Sequence, residues 1–128
     1  DTFHHFGRPA AVLDAIRGAL RDGGSFLIAE TSLSGDPTTD ASDPFAIITY
    51  GSNLLYCFQE SKVDGGAGLG ATWPPQHLEP LLTEHGFKIA ATYASGAGYA
   101  VSRAILRGPG GPRQRRHATA GQRGARCN

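Results

Sequence analysis

The sequence contains no methionine and only two cysteines among its 128 residues. A chain that starts at Asp1 without an initiator residue does not read as a complete open reading frame, so a fragment of a longer protein is expected. Cys57 lies in an apolar run and Cys127 is next to last in a Gly/Arg tail. That placement argues against a structural disulfide and for two free thiols in a reducing cytosol, hence a cytoplasmic protein. No run approaches the ~18 consecutive apolar residues that a membrane span needs, and no signal-peptide pattern opens the chain. A membrane is therefore not expected as a partner.

The chain has the usual size of one domain. Hydrophobic residues make up 40% and charged residues 18%, in the ordinary range for a globular protein, whereas 18 glycines and 8 prolines point to prominent loops. Charge is unevenly spread. Residues 1–106 carry six Lys or Arg against all eleven acids, while residues 107–128 carry six Arg and no acid. The last stretch also lacks any aliphatic side chain larger than alanine, so residues 108–128 are expected to be a disordered Gly/Arg-rich tail following a domain at 1–107. Such a tail can bind nucleic acid by counterion release, but without interleaved aromatics a solvated tail is the favoured reading.

Periodicity divides the body into few elements. Pro9 followed by Val12, Leu13, Ile16 and Leu20 predicts an amphipathic helix over 9–21, ended by Asp22-Gly23-Gly24. Ser25-Phe26-Leu27-Ile28-Ala29 is short and apolar on both faces, which predicts a buried parallel strand stopping at Glu30. A polar loop covers residues 31–43. Asp43-Pro44 then offers an N-cap and a first-turn proline for a second helix reaching about Phe58. A glycine-rich loop at 64–70 precedes a third helix marked by Leu78, Leu81 and Leu82, started or kinked by Pro80 and capped by Gly86. Residues 87–93 and 99–106, with glycines between them, predict an antiparallel hairpin. Together these elements give an α/β class.

The paired His4 and His5 can bind a metal, act as a base, or simply cap and pack; in an extended stretch they would point to opposite sides and could not both serve one ion, so no metal site is assigned. Taken in order, Asp1, Phe3-His4-His5-Phe6, Pro9, Leu13, Arg17, Leu20, Gly23-Gly24 and an apolar strand ending in Glu30 resemble a known family. They look like the region after the fourth strand of class I S-adenosylmethionine-dependent methyltransferases. Tyr50-Gly51-Ser52, Cys57, Gly65-Gly66-Ala67-Gly68-Leu69-Gly70 and Glu84-His85-Gly86-Phe87 resemble a bacterial branch with a helical insertion after strand five, except that His85 stands where an alanine is usual.

The resemblance covers residues 1–106 and implies the C-terminal part of a Rossmann-like sheet, strands 5, 7 and 6 of the order 3-2-1-4-5-7-6. Strand 5 would then present a bare edge, open to association. The glycine-rich cofactor loop after strand one and the acid after strand two are absent from the sequence; the loop at 65–70 follows a helix, so it reads as an insertion loop near the substrate mouth and not as a phosphate cradle. The resemblance implies S-adenosylmethionine as cofactor, touched by Asp1, Thr2, Phe3, His4 and His5, with His4 as the catalytic base. Tyr50, Tyr56 and Trp73 are expected to line the pocket for a small-molecule substrate methylated on oxygen or nitrogen by the parent protein, the fragment itself being inactive. A homodimer of the parent protein stays open. The alternatives are a non-catalytic remnant or interaction module with a nucleic-acid-binding tail, and a nucleotide-dependent oxidoreductase on a similar sheet.

Overall fold

The computed structural model describes residues 1–95 and 98–107; the expected tail at 108–128 lies outside them. The chain enters through a 3-10 turn at Phe3–His5 and leads into helix α1, Pro9–Ala19, with proline in its first turn where a missing amide costs nothing. Gly23 at φ +73 turns the chain into strand β1, Ser25–Thr31. Helix α2, Pro44–Ser52, starts as its sequence predicts, with the Asp43 carboxylate accepting from Phe45 N at 2.9 Å. A π-turn at Asn53–Cys57 and a short helix α3, Phe58–Lys62, follow without a break. The second helix is therefore longer than expected and contains one wide turn. A 3-10 turn at Pro75–His77 precedes helix α4, Leu78–Glu84, so Pro80 falls inside the first turn and does not start the helix. Gly86 at φ +85 supplies the left-handed residue past its end.

Strands β2, Phe87–Ser95, and β3, Tyr99–Leu106, form the expected antiparallel hairpin, with a register shift between Ile89 and Ala91. β3 also pairs antiparallel with β1, Ile28 opposite Ser102, giving the order β1-β3-β2. The expectation of a parallel strand buried on both faces is corrected here. Among the described residues β1 has only an antiparallel neighbour, and Leu27 on its outer face is 66% exposed. The apolar character of residues 25–29 is thus in excess of what the described residues cover.

The core lies on one face of the sheet. Leu13 of α1, Leu82 of α4 and Phe87 of β2 are fully enclosed and meet Ile28 and Ala104 of the sheet and Phe3 of the opening turn. Phe26 meets Phe87 edge-on at 5.0 Å. At the rim, Asp14 of α1 contacts His85 Nδ1 at 3.1 Å, and Arg17 donates to the His85 carbonyl at 3.2 Å. The histidine in the turn after α4 thereby ties the two helices together.

The glycine loop is folded back under the opening turn. Ala67 N donates to Gly7 O at 2.9 Å, Gly68 N to Ser61 O at 3.2 Å and Gly70 N to His4 O at 3.2 Å. These amides are spent on protein carbonyls, which leaves no cradle for a phosphate. A Cβ on Gly66 would overlap the Ser61 carbonyl oxygen and stand 2.8 Å from Gly7 Cα, both backbone atoms that cannot swing aside. Gly66→Ala is therefore expected to cost about 1–3 kcal/mol by forcing the loop off the turn. A urea midpoint equal to wild type would show that the loop is not held this closely.

Candidate functional site

The 3-10 turn determines where the two histidines go. In an extended stretch they would diverge; here their rings lie 4.2 Å apart at 36°. His4 is 2% exposed, and its Nδ1 meets Glu30 Oε2 at 2.5 Å, with Asp1 Oδ1 at 3.6 Å. Glu30, near the end of β1, also accepts from Phe3 N at 2.6 Å and Thr2 N at 3.2 Å through its other oxygen. Burial pushes the Glu30 carboxyl up, but the His4 hydrogen bond and charge, the Asp1 amino group and the Phe3 amide outweigh it, and the net shift is downward.

An ionised carboxylate can only accept, so in the neutral form of the imidazole the proton sits on Nδ1 and the lone pair on Nε2. His4 Nε2 is buried and has no hydrogen-bond partner among the described residues. A buried nitrogen left with an open lone pair costs free energy unless something else is meant to meet it.

His5 is half-buried, with Nδ1 on Glu60 Oε2 of α3 and its ring 5.7 Å from Tyr56. Cys57 is buried at the last position of the π-turn, its thiol pushed up chiefly by burial and then by Glu60 and Glu30. One ring nitrogen from each histidine and Cys57 Sγ lie within 4.8 Å of one another.

Of the residues expected at the cofactor, Phe3 puts its ring in the core, stacked on Trp73 at 6.3 Å, while the side chains of Asp1 and Thr2 are exposed. The three aromatics expected to line one pocket are dispersed. Tyr56 stands exposed beside His5. Trp73 borders a cavity of about 210 Å³ over the inner face of the sheet, which Glu30 and Thr92 also line. Tyr50 donates its hydroxyl to Asp40 Oδ2 at 2.9 Å, in the loop after β1.

Burial, with the Asp40 hydrogen bond and charge, pushes the Tyr50 phenol up to about 12 from an ordinary 10.0. The folded state favours the neutral phenol, so this contribution to stability is complete below pH 10.0 and is lost as pH rises through about 12. The absorbance difference between wild type and Tyr50→Phe should show a phenolate appearing near the upper value; one appearing near the lower would mean the bond to Asp40 does not hold in solution.

Sequence reasoning passed over Glu30, Glu60 and Cys57 as site residues. The signal for Glu30 was available in its position at the end of an apolar strand, where open α/β sheets carry their ligand groups. No helix of the described residues is long and apolar enough to cross a membrane.

The described residues define a small α/β unit with a three-stranded antiparallel sheet and helices packed on it. Its fold is similar to the crystal structure of TnmH, with a TM-score of 0.63 and 18% identity over 84% of this chain. The chain spans 29% of the TnmH chain, and the likeness is one of fold. No protein-family model matches the sequence. No curated protein matches it either.

Proposed function

We propose that the chain is the C-terminal part of a class I methyltransferase whose parent protein moves a methyl group from S-adenosylmethionine to an oxygen or nitrogen of a small molecule. The observation that carries this reading is His4: a buried imidazole with Nδ1 held by Glu30 and Nε2 unpartnered. A general base needs an imidazole oriented from behind whose other nitrogen keeps its lone pair uncommitted, and His4 supplies both. The motif order over residues 1–106 supports it. So does the strand order β1-β3-β2 with its reversed middle strand, which corresponds to strands 5, 7 and 6 of the family's sheet.

The bound cofactor supplies an electrophilic methyl group. The residues here fit one wall of its site: the Thr2 side chain is exposed, the exposed Asp1 carboxylate accepts from the Tyr99 hydroxyl at 3.1 Å and is thereby held in place, and the Thr2 and Phe3 amides are taken up by Glu30. His4 Nε2 accepts the proton of the acceptor hydroxyl or amine, and ionised Glu30 stabilises the imidazolium so formed. His5 and Tyr56 border the place where the acceptor would enter, and the thiol of Cys57 backs it.

Calorimetric titration of S-adenosylmethionine into this chain, and into the chain extended upstream, tests the reading. Heat of binding with the extended chain alone is the expected result. Binding by neither would sink the assignment and leave a remnant without a cofactor.

A further inference from the structure

We propose that His4, His5 and Cys57 form a binding site for a thiophilic divalent cation, zinc above all. The site goes beyond the methyl-transfer reading and does not depend on it, because it rests on geometry that the described residues supply by themselves.

Four observations converge. One ring nitrogen of each histidine and the Cys57 sulfur already lie within 4.8 Å of one another. Tetrahedral zinc, with bonds of ~2.0–2.1 Å to nitrogen and ~2.3 Å to sulfur, places its ligand atoms roughly 3.3–3.7 Å apart. The cluster therefore closes on an ion with shifts of about 1 Å, within the reach of side-chain torsions. Each histidine has a carboxylate behind it, Glu30 on Nδ1 of His4 and Glu60 on Nδ1 of His5. Carboxylates so placed fix the tautomer and turn the opposite nitrogen toward a metal. His4 Nε2 is fully enclosed and has no partner among the described residues, so its lone pair is uncommitted and available to an ion. Lastly, the sulfur is delivered by a π-turn, a distortion that concentrates at functional sites.

The other cluster of this kind, Asp1, His4 and Glu30, is a weaker candidate. There Glu30 already holds the imidazole Nδ1 and two backbone amides, so its lone pairs are largely committed.

Binding would form two nitrogen bonds and one sulfur bond. The Cys57 thiol releases its proton to solvent, so Zn²⁺ plus two neutral imidazoles and one thiolate carry a net single positive charge. Three protein ligands leave a fourth position for water or a substrate oxygen. Half-buried His5 and exposed Tyr56 mark the side from which the ion enters. Since zinc on Nε2 takes up the lone pair that would receive the acceptor's proton, metal loading and base catalysis by His4 exclude each other.

The test is titration of Co²⁺ into the full 128-residue chain carrying Cys127→Ser, which leaves Cys57 as the only thiol. The expected spectrum has a near-ultraviolet sulfur-to-cobalt charge-transfer band and intense visible bands of a tetrahedral site, both abolished by excess Zn²⁺. Cys57→Ser should remove the charge-transfer band, and His5→Ala should weaken binding by ~10-fold or more. Absence of cobalt binding, or binding without the sulfur band, would overturn the site. The unsubstituted thiol decides this even where a variant fails to fold, and no outcome depends on S-adenosylmethionine.

Discussion

On the proposed methyl-transfer reading, replacing His4 by alanine in the parent chain is expected to lower methyl transfer by ~10²- to 10⁴-fold, the range for loss of a positioned general base, with little change in cofactor affinity. The separation of the two effects follows from the geometry. His4 is enclosed, and what it offers is one nitrogen lone pair, whereas the proposed cofactor wall is Asp1 and Thr2, which the substitution leaves unchanged. The companion variant is Glu30→Gln. Glutamine can donate its amide hydrogen to Nδ1, which transfers the imidazole proton to Nε2 and blocks the lone pair while keeping the ring. Both variants should therefore lose activity, and only the alanine variant loses the ring. Equal turnover in wild type and His4→Ala would remove the base assignment. Full activity in Glu30→Gln would show that the orientation of the ring does not depend on its carboxylate.

The second large effect is expected at Phe87, the first residue of β2 and the largest fully enclosed side chain among the described residues. It closes the contact between the sheet and α4 and lies edge-on to Phe26. Phe87→Ala removes most of a ring from a site with no exposure, a change that costs about 3–5 kcal/mol. Against a whole-domain stability of ~5–15 kcal/mol, that loss brings the chain close to unfolding at ambient temperature. Tyr93, on the same strand and 61% exposed, is the comparison: Tyr93→Ala should stay within about 0.5 kcal/mol. Denaturant unfolding of both variants measures the difference. A Phe87→Ala midpoint as high as that of Tyr93→Ala would mean that the helices do not seal this face of the sheet.

Helix starts and chain reversals were legible in the sequence because each rests on one or two local residues. Pro9, Asp43-Pro44, Gly23 and Gly86 act through fixed φ, a missing amide or a permitted positive φ, and none of these needs a distant partner. The hairpin at 87–106 was legible for the same reason. The environment of β1 was not. An apolar run says that both faces can be buried without saying what is present to bury them, and Leu27 is left outward.

The site was half legible. His4 could be singled out from the motif around it, but Glu30, 26 residues from His4, and Glu60, 55 residues from His5, are brought to the two histidines only by the fold. The pairing of the two histidines depended on a 3-10 turn that no periodicity marks over three residues. The dispersal of Tyr50, Tyr56 and Trp73 was likewise hidden, since aromatic character does not say which wall a ring joins.

The wide turn at Asn53–Cys57 works as a phase adjuster in the helical segment. Phe58 N reaches back to Asn53 O, one residue further than an α-helix allows. With 3.6 residues per turn, the extra residue rotates everything after it by roughly 100° relative to an unbroken helix. Upstream of it, α2 keeps Ala46 and Thr49 turned inward. Downstream, the rotated frame brings Glu60 to His5 and Ser61 to the glycine loop. One surplus residue thus lets a single helical segment serve two surfaces that a regular spiral would face in turn but not together, and deleting any one residue from 53–57 would restore the spiral and swing Glu60 away from the histidine it holds.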